Sequence, residues 1–225
     1  MTELEAIYAR HSVRRYTDRP VCGEAEVQLR EEIRRCNEES GLRIQLITDE
    51  PEAFGSILAH YGLFKGVRNY IAIVGRETKE LPEKAGYYGE RIVLKAQMLG
   101  LNTCWVAATY SKRKSRIAVE DGERVVCVIA LGYGMTQGKP HRNRPVSSLC
   151  RVEREPAPDW FWRGVEAAML APTAVNRQQF CMIWTGETVK AKATAGGLAH
   201  LDLGIVKYHF EVGAGKGNFN WNADE

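Results

Sequence analysis

Two short stretches of the chain carry residue types whose spacing suits chemistry. The first is Arg10-His11-Ser12-Val13-Arg14-Arg15-Tyr16. Two planar guanidiniums at Arg10 and Arg14, with a hydroxyl at Ser12 between them, can grip a phosphate through paired charge-assisted hydrogen bonds. The same string also reads as a helix exit with solvated arginines. The second is Leu170-Ala171-Pro172-Thr173-Ala174-Val175-Asn176-Arg177-Gln178-Gln179-Phe180. Small residues at Ala171, Thr173 and Ala174 let backbone approach a flat ligand, and the amides of Asn176 and Gln178 can donate and accept. It reads equally as a polar turn between a helix and a strand.

The elements that must position these stretches follow from periodicity. A helical pattern over Leu4 to Arg10 leads into a charged extended loop over Ser12 to Pro20. A second helix runs from Gly23 to Ser40, stopped by Gly41, with Val27, Leu29, Ile33 and Cys36 on its apolar face. Leu42 to Thr48 alternates like a strand, Pro51 to Tyr61 reads as a short helix, and Tyr70 to Val74 as a buried strand. Tyr87 to Leu99 is the longest clean helix, followed by strands at Asn102 to Ala107 and Arg124 to Leu131. The basic run Ser111 to Arg116 suits a solvated face, and Gln137 to Pro145 a basic, turn-rich segment.

A Pro-containing linker at Glu153 to Pro158 divides the chain into a larger unit, 1–152, and a smaller one, 159–225. In the smaller unit a helix at Trp160 to Leu170, a strand at Phe180 to Thr185 and a helix at Leu201 to Val212 repeat the order of the first half in compressed form. That order suggests a degenerate internal duplication.

Composition narrows the function. Thirty-one Lys and Arg against 28 Asp and Glu leave a net charge of only +3, with the basic residues scattered, so nucleic acid is not expected as a partner. No apolar stretch approaches the roughly 18 residues that span a bilayer, and the acidic start at Glu3 and Glu5 lacks a leader's apolar core, which points to the cytoplasm. The six cysteines form no CxxC pair or zinc spacing, so neither a disulfide framework nor a metal site is expected.

Together the two stretches resemble the nitroreductase family. Its N-terminal RxSxR segment, ahead of an aromatic residue and a proline, is matched by Arg10-His11-Ser12-Val13-Arg14-Arg15-Tyr16 with Pro20 following. Its APSxxNxQPW turn is matched by Ala171 to Gln178, with Gln179-Phe180 in place of Pro-Trp. Leu94 to Trp105 is similar to the central helix and the LGLGTCW strand entry, and Val128 to Gly134 to the LGYP turn. The resemblance implies an α+β fold, an antiparallel-dominated sheet wrapped by helices. It implies FMN, with its phosphate on Arg10, His11, Ser12 and Arg14, aided by Arg142 and Arg144. Pro172, Thr173, Ala174, Asn176 and Gln178 would line the ring, and the backbone of Val106, Ala107 and Ala108 would meet its N5 edge. Lys65 is a candidate to stabilise charge on reduced flavin, or else a surface lysine. NADH or NADPH would deliver hydride, and a nitroaromatic, quinone or similar acceptor would remove it in a ping-pong sequence, with no catalytic side chain. The other reading is a flavin carrier or sensor without turnover.

The chain departs from the family in one place. Relatives usually carry the APS-type turn some twenty residues after the phosphate motif, where this chain has Arg35 to Gly41; the turn stands in the second half instead. That resembles the single-chain branch in which a two-site homodimer is fused into a pseudo-dimer, active as a monomer or weak homodimer, with the flavin where the two halves meet.

Overall fold

The computed structural model describes residues 1–55 and 63–222. The chain separates into two compact units, the first comprising Ala9–Leu81 with Ile92–Pro140, the second Met1–Tyr8, Pro82–Arg91 and His141–Glu225. The division differs from the expected break between 152 and 159. The second unit also recruits 1–8 and 82–91, because Tyr208 donates to Glu3 and Lys207 pairs with Glu83.

The first unit is built on a four-stranded antiparallel sheet of order β1-β2-β4-β3, with β1 at Gln45–Ile47, β2 at Asn69–Arg76, β3 at Asn102–Val106 and β4 at Glu123–Gly132. In β2 every residue from Asn69 to Gly75 is buried, as expected of an apolar run covered on both faces. Helix α2, Glu24–Ser40, buries Leu29, Ile33, Cys36 and Ser40, spaced one helical face apart. Val27 was expected on that face, but it is two-thirds exposed, one position off the stripe. Gly41 ends α2 at φ 70°, its N–H donating to Asn37 O, a conformation that glycine takes without a Cβ penalty. The expected strand over Leu42 to Thr48 shrinks to three ladder residues. Of the helix expected over Pro51 to Tyr61, only a 3-10 turn at Glu52–Phe54 is described; residues 56–62 lie outside the described residues.

The second unit contains helix α1 (Glu3–Ala9), the opening half of α3 (Leu81–Met98), helices α4 (Asp159–Met169) and α5 (Ala199–Ala214), and a three-stranded sheet of order β5-β6-β7 on which α5 packs. Its strands are Cys150–Val152, Phe180–Trp184 and Val189–Ala193; β5 and β6 run parallel, β6 and β7 antiparallel. Helix α3 starts six residues before the expected Tyr87, opening with Leu81-Pro82 in the first turn, where a proline has no helical N–H bond to forfeit. Its glycine at 86 has a packing cause. A Cβ there would lie 2.0 Å from Leu201 O, and one at Gly204 would lie 1.9 Å from Glu83 O. The α3 and α5 backbones thus cross in contact at two glycines. Helix α4 packs on α5 in the same way, Gly164 under the Phe210 ring and Gly213 against Ala167 and Arg163.

The α+β class and the dominance of antiparallel pairing agree with the sequence reading. Both halves share one order, helix, strand, strand, helix: α2-β1-β2-α3 and α4-β6-β7-α5, each with its strand pair antiparallel.

Candidate functional site

In the first unit the Arg10 to Tyr16 segment is laid as an extra extended piece on the sheet edge. Ser12 bridges Thr103 in parallel, Val13 N–H donates to Thr103 O at 3.0 Å, and Arg15 bridges Lys65. Burial along the segment is uneven. Val13 and Tyr16 enter an apolar cluster with Phe54, Phe64, Tyr70, Cys104 and Val106, while Ser12 and Arg14 stay exposed. The Tyr16 hydroxyl donates to Val13 O at 2.6 Å, and Tyr16 N–H to Lys65 O at 2.9 Å, pinning the segment from both sides. Gly66, at φ 72°, admits this contact, since a Cβ would sit 2.5 Å from Tyr16 O.

Arg10, Ser12 and Arg14 all act on the Cys104 thiol, Ser12 through a hydrogen bond and the two arginines through their charge. Burial pushes that thiol above its ordinary value, and it is opposed by the Arg14 charge, a hydrogen bond from Ser12 and the Arg10 charge, in that order. Three donors of the expected phosphate motif therefore share one locality. Arg10 is buried, and among the described residues no carboxylate pairs with Arg14. Lys65 is exposed beside Arg14, its N–H donating to Arg14 O at 2.9 Å. His11 is half-buried against Gly138. Val106 turns its side chain into the core at the end of β3, leaving Ala107 and Ala108 exposed at the strand exit.

In the second unit Pro172 to Gln178 forms a tight turn between α4 and β6. Three of its non-glycine residues adopt left-handed backbone: Val175 at φ 45°, Asn176 at 55° and Gln178 at 49°. Such conformations cost on the order of 1–3 kcal/mol each, most for a β-branched residue such as Val175, and persist only where the surroundings hold them. Side chains supply that hold. Gln178 is wholly buried; its Oε1 accepts from Arg144 N–H at 2.6 Å, and its Nε2 donates to Met169 O at 2.9 Å and Asn143 Oδ1 at 3.2 Å. Its own N–H donates to Thr173 Oγ1 at 3.0 Å. Because Arg144 N–H can only donate and Met169 O can only accept, the amide orientation is fixed. Gln178 is expected to line a ring; here both amide hydrogens are donated within the protein, and the side chain braces the turn against Asn143 and Arg144.

The Asn176 amide donates through Nδ2 to Arg142 O at 2.8 Å, while its Oδ1 is buried with no hydrogen-bond partner among the described residues. Pro172 is half-buried and Thr173 buried, its hydroxyl spent on Gln178. Ala174 N–H is also taken, by both oxygens of Asp202, each at 3.0 Å. Burial pushes the Asp202 carboxyl up to about 6, against the lowering effect of the Ala174 N–H. Asp202 was missed in the sequence; its only signal is a lone carboxylate inside the apolar run Leu201 to Val206. Arg142 and Arg144 are exposed, and Arg144 also reaches Gln178 O through Nη1 at 3.3 Å. Each unit thus assembles its own part of the expected set.

The other polar groups are poorly placed for catalysis. His209 and Glu90 are fully buried and bonded to each other at 2.8 Å. Burial also raises the Cys127 thiol, making it a weak nucleophile. Among the described residues no group of three His, Cys, Asp or Glu could hold a metal, and no helix is long and apolar enough to cross a membrane.

This fold and this motif set define a nitroreductase-type protein. A family model described as "Putative TM nitroreductase" matches residues 3–214, and the chain belongs to that family. Among solved structures it is similar to a "putative nitroreductase" from Thermotoga maritima, with 24% identity over 94% of this chain and 83% of that chain, at a TM-score of 0.61. A "putative nitroreductase in complex with FMN" from Desulfovibrio desulfuricans shares 21% identity over 70% of this chain and 99% of its own, at 0.53. A "Putative NADH dehydrogenase/NAD(P)H nitroreductase" from Parabacteroides distasonis shares 24% over 65% and 95%, at 0.51. At these identities the neighbours establish the fold. A search of curated proteins returned no match.

Proposed function

We propose that the chain is an FMN-dependent oxidoreductase that takes reducing equivalents from NADH or NADPH and passes them to an electron-poor acceptor such as a nitroaromatic or quinone. The observation that carries this reading is the display of Ser12 and Arg14, both exposed, on a segment fixed to the sheet edge by Thr103 and Lys65, in a member of this family. Two guanidiniums and a hydroxyl suit a phosphate dianion, and among the described residues no carboxylate pairs with Arg14 first. The residues of the turn also fit the group. The unpartnered Asn176 Oδ1 is a buried acceptor of the kind that the N–H of a flavin ring would satisfy.

In this reading Arg10, His11, Ser12 and Arg14 hold the phosphate, aided by Arg142 and Arg144. Asn176 meets the ring edge, and Pro172, Thr173 and Ala174 shape the backbone beneath it. Ala107 and Ala108 offer main chain, and Lys65 a positive charge where reduction adds electrons. Bound FMN supplies the hydride chemistry, and the protein supplies binding, orientation and charge. No side chain is required as nucleophile or base, in keeping with the burial of His209, Glu90 and Cys127. We place the activity in the cytoplasm, and we read the shared element order of the two halves as a fused pseudo-dimer.

One absorbance spectrum of the purified protein, reconstituted with FMN and desalted, tests the cofactor. Retention of the visible flavin absorption with the desalted protein is expected; a colourless protein would overturn the reading. Steady-state NADH and NADPH oxidation with menadione then separates an enzyme from a carrier. Turnover dependent on bound flavin is expected, and flavin retention without turnover would leave a carrier.

A further inference from the structure

The turn from Pro172 to Gln178 holds three non-glycine residues in left-handed backbone, so something outside it must fix its shape. Gln178 ties its C-terminal end to Asn143 and Arg144. At the N-terminal end the Ala174 N–H is held from outside the turn, by a charged, buried carboxylate on α5 that uses both oxygens on the same hydrogen. A buried carboxylate is an expensive way to satisfy one amide, for which a neutral acceptor would suffice. What the charge adds is strength and direction: a charge-assisted bond is roughly twice as strong as a neutral one.

We propose that Asp202 is a positioning residue for the cofactor, fixing the turn through Ala174 so that Asn176 is presented to the flavin ring. The inference rests on the flavin reading given above. Asp202 touches no ligand itself; it acts through the backbone of the turn.

Two variants act on the same bond from opposite ends, one weakening it and the other removing it. Asp202→Asn keeps the side-chain shape and removes the charge. Ala174→Pro removes the N–H and leaves Asp202 intact; Thr173, at φ −91° and ψ 158°, already has the extended backbone that precedes proline, and Ala174 opens the short 3-10 turn, where proline is accepted. Three quantities are measured on the full chain: amide hydrogen exchange over residues 173–178 without FMN, the FMN dissociation constant by fluorescence, and the visible circular dichroism of bound FMN. Both variants are expected to speed exchange in the turn, weaken FMN about tenfold, and shrink the flavin dichroism. A role confined to helix α5, such as favouring its first turn, would not be reproduced by Ala174→Pro. An effect in Asp202→Asn alone therefore overturns the inference, as do unchanged FMN affinity and dichroism in both variants, or loss of the fold in both. If one variant fails to fold, the other decides by the same readings. Should the wild type take up no FMN, the flavin reading fails, while turn exchange still reports separately on the Asp202 hold.

Discussion

The Arg10 to Arg14 segment and the Pro172 to Gln178 turn meet the same demand, a shaped polar surface, in opposite ways. The first is held by main-chain pairing with Thr103 and Lys65, which leaves Ser12 and Arg14 exposed. The second is held by buried side chains, Gln178 and Asp202, and presents mainly backbone and one amide oxygen. A residue type in a motif therefore does not tell its job. Arg14 is displayed because strand pairing asks nothing of it, whereas Gln178 is consumed because a strained turn needs a brace. Substitutions in the two regions should separate accordingly, binding loss in one and stability loss in the other.

The largest effect is expected from Gln178→Ala. It strands Arg144 N–H and takes the Gln178 donor from Met169 O and Asn143 Oδ1, around a side chain that is wholly buried. With desolvation penalties of about 1–3 kcal/mol per stranded group, partly relieved by relaxation, stability should fall by about 3 kcal/mol. Urea unfolding of the apo protein measures it. A variant as stable as the wild type would return Gln178 to the role of a ligand contact.

Arg14→Ala should do the converse. Its exposed side chain makes no ion pair among the described residues, so the unfolding midpoint should stay put, while FMN affinity falls at least roughly tenfold from the loss of about 1.5–3 kcal/mol of phosphate contact. Fluorescence titration alongside the urea curve reads both. Destabilisation without weaker FMN binding would erase the contrast between the regions.

Asp202 gives the turn a pH signature that the arginine segment lacks. Its folded pKa, pushed up to about 6 from 3.8, means that the folded state binds the proton more tightly than the unfolded chain does. The stability from this group is fully present below pH 3.8 and is lost as pH rises through 6. That difference corresponds to roughly 3 kcal/mol, which partial solvent screening reduces to about 1–2 kcal/mol. Asp202→Asn should therefore be the more stable protein at pH 7 by about that amount, with its advantage gone near pH 4. Paired urea curves at the two values check the sign. A constant difference across that range would refute the titration.

These contrasts also explain what the sequence made legible. The apolar runs of β2 and β4 and the Gly41 stop of α2 are local signals, and they appear where expected. Strand β7, Val-Lys-Ala-Lys-Ala, has weak strand formers and forms through its pairing with β6, so nothing in its own residues announces it. The three-residue β5 is equally silent. The early start of α3 was hidden by Gly86 and Gly89, poor helix formers; Gly86 is required by contact with α5, a partner more than a hundred residues away. For the site, residue types located both segments, but only tertiary structure separates displayed side chains from braces, and only tertiary structure reveals Asp202.

The smallest effect concerns Val175, and it tests whether the shape of the turn is imposed or intrinsic. Its side chain is 84% exposed, so it contributes little burial, yet it sits at φ 45° and ψ 31°, where a β-branched residue is strained. Asparagine tolerates left-handed backbone far better. If the braces at Gln178 and Asp202 impose the conformation on an unwilling residue, Val175→Asn should relieve strain and raise stability by about 0.5–1 kcal/mol, with the turn's hydrogen exchange slowed. The gain should persist in Arg14→Ala, a variant of the other unit, since sites that share no partners add. In Gln178→Ala it should change, because that brace and Val175 act on the same few peptide bonds. Equal gains in the two backgrounds would mean that the turn keeps its shape without Gln178, and the distinction between a displayed segment and a braced one would fail at its structural root.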